Sequence, residues 1–251
     1  MNKAKGVRNR TVEDCDFGRP RNSGGEEMKR SIAATAAVII LAFTVFPALV
    51  TAATVEPIDA QSETGKTYGE WSANWWQYVL SIPAADNPLF DPTGAECTPQ
   101  DPSSPVFFLV GSFGGPVTRN QCTVPAGKYL FFPLLNNIFA RTEAHETEDF
   151  MRNQLTGFIK SIRELHASID GVPVGGLDGP LSPYRTVSPA FYVTLPEGNI
   201  FGLDAGTTLF SVADGVFMMI EPLPTGTHTI NFGGVAGAFT VNVTYDPLTA
   251  Q

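Results

Sequence analysis

The chain has 251 residues, of which 16% are charged, and a formal net charge of −9 at pH 7. Eight of the sixteen Lys and Arg but only five of the twenty-five acidic residues precede Thr54, so residues 54–251 carry a net charge of −12. A surface this acidic repels nucleic acid and anionic lipid, which excludes both as expected partners.

The first element reads as an export signal. Within residues 28–53, Lys29 and Arg30 precede an uncharged stretch over 31–50, and the small residues Thr51, Ala52 and Ala53 follow. That is the n-region, h-region and cleavage-site order of a secretory signal peptide, with cleavage expected after Ala52 or Ala53. The expected location is secreted or periplasmic, with no membrane partner once the signal is removed. Twenty uncharged residues can also span a bilayer, so an uncleaved anchor through 31–50 is the competing reading. Thr35, Thr44 and Pro47 dilute the stretch, and no cysteine follows to carry a lipid. Residues 1–27 are polar and aperiodic, and read either as a disordered leader or as translated upstream sequence. Gly24-Gly25-Glu26-Glu27 requires codons beginning GG, GG, GA and GA, the purine-rich pattern of a bacterial ribosome-binding site, which makes Met28 the expected start.

Residues 54–251 suffice for a single domain with a real core. Cys15 lies in the leader, so the exported part holds two cysteines, Cys97 and Cys122. An even number in an oxidising compartment is expected to pair. Closing that loop stabilises the fold by about 3 to 3.5 kcal/mol in the chain-entropy description.

Residues 56–66 are polar and read as an extended arm. Tyr68, Trp71, Trp75, Val79 and Ile82 then form one helical stripe, with Glu70, Ser72, Asn74 and Gln77 opposite, which predicts a helix over 68–82 that Pro83 ends. A Pro-rich loop over 84–105 contains Cys97. Strands are expected over 106–110, 117–124 and 128–135. A second helix is expected over 147–165, capped by Thr147 and acidic in its first turn at Glu148 and Asp149. Asp170-Gly171 marks a hairpin within 166–174, and Asp214-Gly215 marks another between strands 207–213 and 216–220. Strands over 184–195, 228–233 and 238–245 complete the pattern. The expected fold is mainly β: an antiparallel β-sandwich, jelly-roll-like or Ig-like, with two inserted or flanking α-helices.

The run Tyr-Gly-Glu-Trp-x3-Trp-Trp-x3-Leu-Ser-Ile-Pro over 68–83 continues through Asn87-Pro88, Asp91-x2-Gly94 and Cys97. With the run from Cys122 to Lys128, Asp214-Gly215 and His228-Thr-Ile230, it resembles a group of uncharacterised bacterial exported proteins. The resemblance covers most of residues 54–251. It supports export and the disulfide and implies no particular chemistry.

Motifs that carry chemistry are few. Gly65-Lys66-Thr67 mimics the end of a phosphate loop, but the required glycine is replaced by Ala60. Ser112 in Gly-Ser-Phe-Gly lacks the G-x-S-x-G spacing of a nucleophile elbow. Trp71 and Trp75 belong to a packing face, whereas Trp76, with Tyr78 and Glu70, is a candidate ligand-binding group. In the polar run that includes Glu143 and Glu146, His145, Glu148 and Asp149 are candidate metal ligands at helical spacing. His228 alternates inward as a hydrogen-bonded core histidine, and Asn242-Val243-Thr244 is an incidental sequon. No catalytic residue and no cofactor are assigned. The expected function is an exported non-enzymatic binding or cell-envelope interaction module for a carbohydrate or protein ligand. The alternatives are a secreted hydrolase, including a glycan-directed one using carboxylates such as Glu70 and Glu221, and a structural envelope subunit.

Overall fold

In the computed structural model the described residues are 61–251 together with strand β1, Val55–Glu56. The expected leader and signal over 1–53 lie outside them. α1 (Gln61–Thr64) and α2 (Tyr68–Leu80) lead into β2 (Val106–Phe108), β3 (Gly115–Arg119), β4 (Thr123–Val124) and β5 (Tyr129–Ala140). Then come α3 (Glu148–Lys160), β6 (Ile162–Ile169), β7 (Val172–Pro173), β8 (Arg185–Val187) and β9 (Phe191–Thr194). The long strands β10 (Thr208–Ile220), β11 (Gly226–Ala236) and β12 (Phe239–Ala250) close the chain. The polar arm expected over 56–66 therefore contains a helical turn, and β1 pairs with the end of β10.

Two sheets pack face to face. One has the order β1-β10-β5-β2, with β8 and β9 also paired to β10; the other has the order β3-β12-β11-β6-β7, with β4 on β12. Both are mixed rather than purely antiparallel, because β2 runs parallel to β5, and β3 and β4 run parallel to β12. The first sheet is buried on both faces. Leu130, Phe132, Met218 and Ile220 meet the second sheet, whereas Phe131, Phe217 and Met219 meet α2. Two-sided burial explains why 216–220 is a continuous apolar run rather than an alternating one.

A capping box starts α2: the Thr67 hydroxyl accepts from the Glu70 N–H at 3.2 Å, and the Glu70 carboxylate accepts from the Thr67 N–H at 2.8 Å. Trp71 and Trp75 pack edge-on against Phe108 and Phe217 respectively. The opposite face is only partly solvated: Glu70 is exposed and Asn74 and Gln77 are half-buried. Ser72 is fully buried, and Gly69 sits so close to β8 that a Cβ would lie 2.6 Å from the Val187 carbonyl oxygen. The tertiary structure thus encloses α2 on two sides.

Two other expectations are corrected. α3 stops at Lys160, and Ile162 and Leu165 lie in β6, where their backbones pair with Ala236 and Gly234 of β11. Apolar residues three apart suit a helix and fall on opposite faces of a regular strand, but a register shift that leaves Arg163 unpaired lets Ile162 and Leu165 pack on one core. Asp214-Gly215 makes no hairpin, because it lies inside the thirteen-residue β10. The Asp214 carboxylate is buried and paired with Arg185 of β8 at 2.8 Å. At Gly215 a Cβ would come within 2.6 Å of the Asn136 Cβ, so the glycine serves close strand packing. The Asp170-Gly171 hairpin forms as expected, both residues having positive φ (51° and 78°), as a two-residue primed turn requires.

Cys97 and Cys122 form a disulfide with a Cα–Cα separation of 5.6 Å. It ties the Pro-rich loop to the segment between β3 and β4. Among the described residues no helix is long and apolar enough to cross a membrane.

Candidate functional site: an apolar cavity at the free edge of β5

β5 is twelve residues long, but β2 covers only its first three, Tyr129 to Phe131. After Leu109 the chain leaves this sheet and becomes β3 of the other, so among the described strands nothing pairs with the outer edge of β5 beyond that point. Pro133 offers no N–H there. The register against β10 also shifts, with Val216 opposite Leu135 and Phe217 opposite Pro133. Leu134 is therefore the extra residue of a β-bulge, a feature that bends a strand and re-aims its side chains.

A cavity of about 390 Å³ occupies the space beside this edge. Trp75 and Trp76 of α2 bound it on one side, and Phe158 of α3 and Val241 of β12 bound it on the other. Residues 133–138, the 111–113 loop, Ile200 and Phe201 also line it. It thus joins the two cores around the end of a sheet. Phe113 and Phe201 are exposed, and Phe113 stacks on exposed Phe90 with ring centroids 5.0 Å apart.

Among the described residues the lining holds no acid, base or thiol; its polar side chains are Ser112, Asn136, Asn137 and the two indole N–H groups. Trp75 Nε1 donates to the Leu109 carbonyl at 2.9 Å, and Asn137 Oδ1 accepts from the Ile138 N–H at 2.9 Å. Trp76 Nε1 and Asn136 Nδ2 are buried donors without an acceptor. Leaving such a donor unmet costs about 1 to 3 kcal/mol, and the hydroxyls of Tyr78 and Ser211, outside the lining, are buried without a partner as well.

Arg119 of β3 holds the wall in place. It is 1% exposed, and among the described residues no carboxylate pairs with it. All five of its N–H groups are used. Nε donates to the Asp91 carbonyl at 2.9 Å, Nη1 to the Val110 carbonyl at 2.6 Å and the Tyr245 hydroxyl at 3.0 Å, and Nη2 to the carbonyls of Pro88 and Gly111, each at 2.9 Å. These carbonyls flank the cavity-lining residues Leu89, Ser112 and Phe113. Sequence reasoning passed over Arg119; the one signal was a lone cation in an otherwise uncharged strand.

The structure separates the residues singled out from sequence. Trp76 is 8% exposed and lines the cavity, instead of offering a flat outer platform. Tyr78 is half-buried outside that lining, and burial, followed by the nearby Tyr245, pushes its hydroxyl well above the usual phenol range. The exposed Glu70 carboxyl is held below its ordinary value by the Thr67 backbone and hydroxyl, so its role is to cap α2. Among the described residues no three His, Cys, Asp or Glu converge as metal ligands. His145, Glu148 and Asp149 accordingly do not form the expected centre: Glu148 turns to Arg152 at 2.7 Å, and His145 packs against Phe150. Glu221 is exposed and no carboxylate lines the cavity, so the paired acids of a glycosidase are not assembled there. Ser112 lines the cavity without a histidine beside it in that wall.

His228 is the hydrogen-bonded core histidine expected, with Nδ1 2.8 Å from the Asp170 carboxylate and Nε2 2.8 Å from the Pro224 carbonyl. Compared with protein-family models and with curated protein sequences, the chain matches none.

Proposed function

We propose that this protein is an exported, disulfide-bonded binding module that holds its ligand non-covalently in the cavity beside β5. The observation that carries this reading is an apolar cavity of about 390 Å³, within the usual size range of ligand sites, with no titratable side chain among the described residues that line it. Acid–base or nucleophilic chemistry needs such groups within reach of the substrate. Export is supported by the Cys97–Cys122 bridge and by β1, whose first residue, Val55, follows the expected cleavage point almost at once. The buried position of Trp76 favours an enclosed apolar ligand over a stacked sugar.

The test is to purify the protein from its exported fraction, extract it with organic solvent and analyse the extract and the protein by mass spectrometry. The expected result is a co-purifying small molecule, an N-terminus at Ala53 or Thr54, and a mass two hydrogens light. The Ile138→Trp variant, which fills the cavity, is expected to lose the molecule while remaining folded. Equal retention by a folded Ile138→Trp protein would remove the cavity from the account.

A further inference from the structure

We infer that the ligand of this cavity is an uncharged, extended peptide segment that adds to the free edge of β5 as a further strand. This deepens the binding reading above and rests on it. The cavity is bounded as a strand of this sheet is bounded. On one side stand Trp75, Trp76 and Leu89, members of the core under α2; on the other stand Val241, Phe158 and Phe239, which belong to or pack on the core between the sheets. Along it runs the edge of β5 from Pro133 to Ile138. It therefore lies where β2 would continue if the chain had not left the sheet after Leu109.

The backbone of that edge is open. The Arg141 N–H donates to the Phe210 carbonyl at 2.8 Å, so Phe139 and Asn137 also face β10 by the alternation of an antiparallel ladder. Asn136, Ile138 and Ala140 accordingly turn their N–H and carbonyl groups outward. The Ile138 N–H finds the Asn137 side chain rather than a strand. Exposed edges are usually guarded by charge, yet residues 129–140 hold no charged residue. Pro133 and the bulge blunt one end of the edge, but the register beyond them is regular from Leu135 to Ala140.

The chemistry of the occupant follows from this lane. Two apolar walls suit apolar side chains on both faces of the added strand, as in any doubly covered sheet. A buried charge would lose its hydration without gaining a partner, so the segment is uncharged. A cavity of about 150 Å³ takes benzene, so about 390 Å³ encloses about fifteen non-hydrogen atoms, or two to three small residues. A second copy of this chain fits poorly: the β5 it would insert is itself flanked by both cores, and both copies carry the same net charge of −12 over residues 54–251. A single extended chain is narrow enough, and its main-chain hydrogen bonds supply affinity.

The probe is the blocked peptide acetyl-Thr-Val-Ala-Val-Thr-amide, titrated by calorimetry into the exported, disulfide-bonded protein. It is expected to bind, and the same peptide with aspartate in place of alanine is expected to bind at least tenfold more weakly. A version N-methylated at every residue keeps the side chains but loses every N–H. It is expected to bind about tenfold more weakly, the size of one or two net hydrogen bonds. Burial of apolar groups alone predicts the reverse, because the methyl groups make the peptide more apolar; equal or tighter binding of the methylated version therefore overturns the added strand. Amide exchange at Ile138 and Ala140 is expected to slow at least tenfold with the parent peptide, and unchanged exchange at both also overturns it. These comparisons use the unaltered protein and do not depend on a variant folding. No peptide binding, with a non-peptide molecule in the solvent extract, overturns the peptide assignment and leaves the cavity as a binding site. No peptide binding with an empty extract overturns the binding reading itself. A dimer seen by light scattering, and abolished by a folded Ile138→Trp protein, would give the lane to a second copy and overturn the peptide.

Discussion

Replacing Arg119 with lysine is the sharpest test of how the cavity wall is built. The guanidinium supplies five N–H donors to four carbonyls and one hydroxyl, and its side chain is 1% exposed. A lysine ammonium has three donors and no planar fork, so it can meet at most three of the five acceptors. The Tyr245 hydroxyl and the Val110 carbonyl keep each other as partners, which leaves the carbonyls of Asp91, Pro88 and Gly111 dependent on this side chain. The guanidinium reaches these three from two separate nitrogens, a spread that one ammonium nitrogen does not reproduce, so one carbonyl is expected to be stranded. At about 1 to 3 kcal/mol for an unmet buried acceptor, Arg119→Lys should cost about 1 to 3 kcal/mol. For a domain of this size that is a fall in Tm of about 2 to 12 °C. Urea unfolding followed by tryptophan emission measures it as a lower midpoint at unchanged slope. Arg163→Lys is the control, because exposed Arg163 donates to the Gly237 carbonyl and its exchange should cost less than about 0.5 kcal/mol. A loss below about 1 kcal/mol for Arg119→Lys would refute the reasoning.

The other predictions concern pairing, packing and pH. Both His228 ring nitrogens face oxygen acceptors, so the doubly protonated ring fits best; burial alone would lower the pKa, but the bonds to Asp170 and Pro224 and the Asp170 charge outweigh it and raise it above the ordinary 6.5. The stabilisation is therefore complete below about pH 6.5 and is lost as pH rises through the raised value, so unfolding midpoints should fall over that window relative to His228→Gln; parallel pH profiles would refute this. Reduction of Cys97–Cys122 should cost about 3 to 3.5 kcal/mol, seen as separate melting curves with and without reductant, and a thiol titre of two before reduction would contradict the bridge. Gly215→Ala should cost about 1 to 3 kcal/mol, because the new Cβ meets Asn136 backbone and Cβ atoms that cannot swing aside. Gly157→Ala, in the last turn of α3 with open space around it, should instead stabilise by about 0.5 to 1 kcal/mol, and the same urea assay reads both signs.

Much of the architecture was legible because it depends on local pattern. The stripe from Tyr68 to Val79 set α2, Thr147 set the start of α3, and Asp170-Gly171 set its hairpin; each signal acts over a few residues. The errors arose where a remote partner decided. Asp214-Gly215 has the chemistry of a turn, yet Arg185 neutralises the aspartate and Asn136 needs the missing Cβ, so the chain runs straight through. Trp76 is off the centre of its stripe, which suggested exposure, but the second wall of the cavity covers it.

By itself the sequence determined the mainly β class, the two helices, the acidic balance of residues 54–251 and the presence of two cysteines able to join. Each follows from composition or from periods of two and 3.6 residues. Only the tertiary structure decided which residues form a site. The cavity exists because β2 ends three residues into β5 and the chain crosses to the other sheet, which brings α2, α3 and β12 to one unpaired edge. The arginine that holds its wall draws its meaning from carbonyls distant in sequence. No local pattern encodes that arrangement, because it is a property of how far one strand extends beyond another.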